Sequence, residues 1–321
     1  MNPDDQERER LQEVFFAYAR RRENTAKNSN QRFVYYTTAD TALKIVERGE
    51  LWMRSATVMN DFSEILHGRE CLIGALREGG RKALSDALAP ILPDFLEQVL
   101  EGLDSHSILH HKQTYLVCFS EHLPEEDAYG RLSMWRAYGG ANGVALVFYG
   151  RALLSQSNAL KIYSSPVAYL DAQGMRNEIV SLAQRISAER ELLLKYSDVA
   201  MGLLSNALRF AVLSTKHPAF KEEREWRVIY QPWTEISPHV SHAVETVRGL
   251  PQIVQKIPLR DIPDEGFHGA NIVEGLDRVI VGPTQFPDSL LSSFSEALAK
   301  RGVREPHHRV HISNVPLRFS N

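Results

Sequence analysis

Lys216 to Tyr230 reads KHPAFKEEREWRVIY, and the placement of its charges decides how the chain is interpreted. From Glu223 onward the two-residue period of a strand puts Glu223, Glu225 and Arg227 on one face and Arg224, Trp226 and Val228 on the other. Two carboxylates then sit side by side. In a central strand such charge is costly unless it is paired or used, whereas on an edge strand solvated Glu and Arg guard against aggregation. The apolar continuation Val228, Ile229, Tyr230 and the bulk of Trp226 favour burial, so the segment is expected to be a core strand carrying acids.

The 321 residues, 43% hydrophobic and 24% charged, are enough for a sizeable core. A net charge of -3 leaves no footprint for strong nonspecific nucleic-acid binding, although a local basic groove remains open. Cys71 and Cys118 lie far apart without metal-ligand spacing, which fits reduced thiols in a cytoplasm. The acidic opening MNPDDQERER is unlike a leader peptide, and no apolar run approaches the roughly 18 residues of a membrane span. A cytoplasmic location with no membrane partner is expected.

Periodicity predicts an N-terminal helix within residues 1–30, on Leu11, Val14, Phe15, Tyr18 and Ala19. One α+β domain over residues 31–321 follows, with helical insertions near 62–112 and 171–215. Its first strand, RFVYYT from Arg32 to Thr37, leads to a helix over Ala39–Arg48 that stops at Gly49, a residue suited to a left-handed cap. Tyr35, Tyr36, Thr37 and Thr38 aim hydroxyls at that helix start, for an anion or a ribose; N-capping by Thr38 or Asp40 is the structural alternative.

Asn60, Asp61, Ser63 and Glu64 suit a capping turn and equally the lining of a site. Further strands are expected over Gln113–Ser120 and Gly143–Tyr149, and near 243–248, 252–257, 278–282 and 309–312. Trp135 and Tyr138, three apart on a short helix, would either clamp a planar ring or pack in the core. His106, His110 and His111, and His307, His308 and His311 in an expected strand, lack a nameable third ligand, and no metal site is assigned.

In order, YYTTADTALKIVERGELW, VMNDFSE, LVCFSE, MWRAYGGANGVALVF, FKEEREWRVIY and RVIVGP resemble a broad bacterial family of unknown function found in accessory and defence-associated gene contexts. The resemblance spans Phe33 to Pro283. That family looks in turn like a divergent branch of the ADP-ribosyltransferase fold, which implies a split mixed β-sheet holding NAD in a cleft. By this resemblance Tyr35 stands where the family has His or Arg, Cys118-Phe119-Ser120 for the middle-strand motif, and Glu223-Arg224-Glu225 for Glu-x-Glu. Tyr35 and Cys118 depart from the family residues.

The resemblance implies Glu225 as the catalytic acid, Glu223 as the orienter of the nucleophile, and NAD as substrate. Tyr35, Tyr36, Thr37, Asn60, Asp61, Ser120, Trp135, Tyr138 and Arg227 would contribute to its binding. It further implies a macromolecular acceptor, protein or nucleic acid, and a toxin or phage-defence role with an antitoxin or chaperone partner. Two other classes stay open on the residues: a metal-dependent nuclease or phosphoesterase using Asp61, Glu64, Glu223 and Glu225, and a catalytically inactive nucleotide-binding module.

Overall fold

The computed structural model describes residues 3–58, 62–91, 93, 95–105, 113–247, 249–313 and 315. They form a mixed α/β structure with a ten-stranded mixed sheet and a separate two-stranded one. The chain divides into two compact units, each assembled from three stretches of sequence.

The first unit comprises Met1–Asn24, Ala56–Gln113 and Ser165–Glu222 and is mainly helical. It contains most of α1 (Asp5–Asn28) together with α3 (Phe62–Ala75), α4 (Arg81–Leu88) and α5 (Phe95–Ser105). The helices Ala172–Ala188, Arg190–Lys195 and Ser197–Leu213 complete it. Asp171 caps the first of these three, its carboxylate accepting from the Gly174 N–H at 2.8 Å. Where α3 crosses Ser197–Leu213, Gly68 lets the backbones touch; a Cβ there would lie 2.3 Å from the Val212 carbonyl oxygen. Within this unit Tyr18 donates to the Val167 carbonyl and Arg185 to that of Val14, tying α1 to its helical neighbours.

The second unit comprises Thr25–Ser55, Thr114–Ser164 and Glu223–Asn321 and is built on the large sheet. Its strands are β1 (Arg32–Thr38), β2 (Glu50–Ser55), β3 (Tyr115–His122), β4 (Gly143–Tyr149) and β5 (Ile162–Pro166, which runs on into the first unit). After the short pair β6 (Ala168–Tyr169) and β7 (Thr215–Lys216) of the first unit come β8 (Glu225–Tyr230), β9 (Ser241–Val247), β10 (Leu250–Pro258), β11 (Leu276–Val281) and β12 (Val310–Ile312). Strand order runs β12-β11-β4-β1-β3-β2-β10-β9, with β8 on β3 and β5 on β8.

The centre of this sheet is forked. Along one edge β3 pairs with β8 from Tyr115↔Tyr230 to Ser120↔Glu225. Its other edge is divided: β2 takes Tyr115 and Leu116, and β1 takes Ser120, Glu121 and His122. The two registers stop on either side of Val117–Phe119, where β1 and β2 part. Between them runs α2 (Ala39–Arg48), opened by the Thr38 hydroxyl, which accepts from Thr41 N–H, and closed by Gly49 at φ 65. The expected strand, helix and left-handed glycine are therefore present, and Thr38 serves as the cap.

Strand alternation sorts the side chains into two layers. One face carries Phe33, Tyr35, Val117, Phe119, Trp226 and Val228, which join the main hydrophobic core. Phe33 meets Trp226 edge-on at 5.2 Å, and Phe119 meets Phe148 at 6.0 Å. The opposite face carries Val34, Tyr36, Ala145, Val147 and Ile280, packed with Met134 and Trp135. Trp135 fits because glycines surround it: a Cβ at Gly130, Gly143 or Gly282 would lie 2.7, 3.1 or 2.8 Å from the indole.

Two strand limits differ from the sequence reading. The C-terminal strand begins at Val310, and His307, His308 and Arg309 belong to a 3-10 turn entered through Pro306. The strand predicted from Glu223 begins at Glu225, because Arg224 takes a left-handed backbone at φ 47. His106, His110 and His111 lie outside the described residues.

The glycine cradle gives a direct test. Gly282→Ala should destabilise the protein by about 1–3 kcal/mol, read as a lower urea midpoint with an unchanged slope; a neutral result would show that the indole shifts freely.

Candidate functional site

Antiparallel neighbours project to the same side of a sheet. Ser120 stands opposite both Val34 and Glu225, and Cys118 opposite Arg227, so Tyr36, Cys118, Ser120, Glu225 and Arg227 share one face. Tyr35 and Thr37 point to the other, where Tyr35 packs on Phe119 at 5.7 Å. This corrects the expected correspondence. The first-strand residue on the side of Ser120 and Glu225 is Tyr36, one position after Tyr35, because a shift of one residue in a strand exchanges faces.

Glu225 and Arg227 are 5% and 0% exposed, two residues apart on β8, with Arg227 Nε donating to Glu225 Oε1 at 2.7 Å. Burial of this kind is tolerated because the charges meet in good geometry. Glu223 is not part of β8. It ends the 3-10 turn Pro218–Glu223, half-exposed, and the left-handed Arg224 between the two acids breaks the alternation that would have set them side by side.

That left-handed backbone is held from several sides. The Arg224 carbonyl accepts from Glu121 N–H at 2.9 Å, and its guanidinium donates to Glu126. Glu126 also accepts from Arg131 Nε at 2.9 Å and from the Leu123 N–H at 3.0 Å. Arg131, 6% exposed, gathers the site: its side chain donates to the carbonyls of Glu223 at 3.0 Å and Glu121 at 2.8 Å, and its N–H donates to the Tyr36 hydroxyl at 2.8 Å. Tyr36 in turn meets Trp135 edge-on at 4.8 Å.

The electrostatics follow from burial and these partners. Burial pushes the Tyr36 phenol up to about 12 against the opposing pull of Arg131, so it is neutral at physiological pH. Burial would raise the Glu126 carboxyl, but hydrogen bonds from Arg131 and Leu123 N–H outweigh it and hold the group below its ordinary range. At the end of β3, His122 is 1% exposed and bonded through Nε2 to Asp127 at 2.8 Å, and Asp127 also receives Arg32 at 2.8 Å. Burial depresses the imidazole, overriding Asp127, and His122 is held neutral.

Of the residues singled out from sequence, the fold brings Tyr36, Ser120, Glu225 and Arg227 to one face, with Trp135 and the partly buried Tyr138 packed on it. Trp135, at 2% exposed and donating to the Tyr129 carbonyl, serves as core. Asn60 and Asp61 lie outside the described residues. Glu126, Arg131 and His122 escaped notice as site residues. The only local signal was LPEED, a proline-led turn whose Glu126 completes a capping arrangement at Leu123. Among the described residues no group of three His, Cys, Asp or Glu side chains is placed to hold a metal ion, and no helix is long and apolar enough to cross a membrane.

Arg227→Met should cost about 3–5 kcal/mol by removing the guanidinium that meets the buried Glu225 carboxylate, and the double variant with Glu225→Met should recover most of it in urea titrations; additive losses would mean that the two do not act as a pair. His122 also predicts an acid limb. A folded-state pKa below 6.5 means that its contribution is complete above 6.5 and is lost as pH falls below it. The stability of His122→Gln should show a shallower first limb, the remainder belonging to His311, whose imidazole burial also depresses, and should keep the later one, where the depressed carboxyls of Glu126, Asp127 and Asp277 protonate.

Residues 134–228 match the family model described as "Protein of unknown function (DUF2971)", a stretch that runs from the Trp135 helix through most of β8. No curated protein matches the chain, and no solved structure does. The chain is thus similar, over that stretch, to an uncharacterised family.

Proposed function

We propose that this protein is an ADP-ribosyltransferase-like enzyme that cleaves NAD at the nicotinamide-ribose bond and passes ADP-ribose to a macromolecular acceptor. One observation carries the reading: Glu225 is buried on the same sheet face as Ser120 and Tyr36, beside the fork in the sheet. An acid on a later strand, on the same face as a middle-strand serine, supports the reading.

The chemistry suits these groups. Loss of nicotinamide builds positive charge on the ribose, and a fixed carboxylate stabilises that charge more in the transition state than in the ground state. Glu225 would take the ribose 2′-hydroxyl and the developing cation, with Arg227 donating a hydrogen bond to the carboxylate. The neutral Tyr36 hydroxyl and Ser120 would position the sugar. Glu223, on the adjoining turn, would orient the incoming nucleophile. The acceptor would be a protein or nucleic acid in the cytoplasm, with an antitoxin or chaperone restraining a toxin or phage-defence activity.

A second reading is favoured by the 2.7 Å contact between Arg227 and Glu225, which neutralises the acid: a module that binds a nucleotide without turning it over. The metal-dependent nuclease has less support, since Glu223 and Glu225 are not side by side on one strand.

Purified protein incubated with NAD should release nicotinamide, and Glu225→Gln, assayed at a temperature where circular dichroism shows it folded, should lower the rate by about 10²–10³. Equal rates in the two proteins would remove Glu225 from the chemistry. Saturable NAD binding with no release by folded wild-type protein would replace the enzyme by the binding module.

A further inference from the structure

On the opposite face of the sheet from Glu225, the second unit holds a recess that the proposed chemistry does not use. Its empty space, with the open solvent at its mouth included, comes to about 820 Å³. Phe33, Phe119 and Val228 form its floor, on the side of β1, β3 and β8 away from Val34, Ser120 and Arg227. Phe148 and Phe267 add further aromatic wall. None of the residues lining it is Asp, Glu, Lys, Arg or His.

That composition discriminates among ligands. A nucleotide or NAD would bring phosphates into a wall with no cation to meet them, at a desolvation cost the site cannot offset. A neutral, mainly apolar molecule loses little by leaving water and gains contact with the phenyl rings. The polar groups of the lining narrow the choice further. Tyr149 donates to Asp277, Ser157 donates to the Glu265 carbonyl, and Ser155 accepts from the Ser157 N–H. The Ser164 hydroxyl is different: its oxygen is buried and has no hydrogen-bond partner among the described residues. A buried hydroxyl without a partner forfeits about 1–3 kcal/mol, and rotation about its Cβ–Oγ bond would turn its hydrogen to a ligand oxygen.

We infer that this recess is a binding site for a small, neutral aromatic molecule carrying one hydroxyl group, which pairs with Ser164. The site is separate from the face that carries Glu225, and its occupant carries no phosphate.

The probe is 2-naphthol, compared with naphthalene, titrated into the full chain by calorimetry and by melting temperature. Saturable one-to-one binding of 2-naphthol that raises the melting temperature is expected. Ala152→Phe and Ala270→Leu, each adding bulk to the lining, should abolish it. Ser164→Ala should weaken 2-naphthol by about 3–10-fold, the worth of one neutral hydrogen bond, and leave naphthalene unchanged. Absence of saturable binding to the wild-type chain would overturn the site, as would binding that survives in either filled variant that folds. Equal weakening of both probes, or of neither, by Ser164→Ala would overturn the hydroxyl pairing. These outcomes are independent of nicotinamide release, so the recess and the proposed NAD chemistry stand or fall separately.

Discussion

β3 has β8 along one edge, while β2 and β1 divide the other, and this shared pairing fixes where every side chain of the candidate site points. Because Ser120 is registered against both Val34 and Glu225, three strands present their alternate residues to the same side. A slip of one residue in any of them would exchange the acid for Trp226 or the tyrosine for its neighbour. Much of the apolar packing guards against that slip. Trp226 is wholly buried against Phe33 and donates to Glu121, so moving it to the other face would cost both the burial and the hydrogen bond.

The polar side of the sheet is held by Arg131 in the way that the apolar side is held by rings. Its guanidinium joins the turn before β8, the end of β3 and Glu126, while its N–H meets Tyr36 on β1. Buried groups of this kind are stable only when satisfied together. The left-handed Arg224 is part of the same set, and the strain of that backbone is offset by the ion pair and the backbone bond that hold it. The result sets Glu225 on β8 and Glu223 on the turn before it.

Two faces of one sheet therefore offer different chemistry. One brings a buried carboxylate, its arginine, a serine and a neutral phenol to one side. The other brings phenyl rings around a recess whose lining has no charged side chain. The same alternation that separates core from site along each strand keeps the charged pair and the uncharged recess on opposite sides of the sheet.

The sequence by itself determined the elements whose signals are local. The Thr38 cap, the helix Ala39–Arg48 and the left-handed Gly49 depend on neighbours within a few residues, and the apolar run Val228, Ile229, Tyr230 marked a buried strand. What only the tertiary structure decided depends on partners far along the chain. Tyr36 replaces Tyr35 at the site because register, not composition, chooses a strand's face. Glu223 falls outside β8 because Arg224 turns left-handed, and that turn is held by Glu126, 98 residues away in sequence. No periodicity in KEEREWRVIY encodes such a bond, since its energy exists only once the two segments have been brought together.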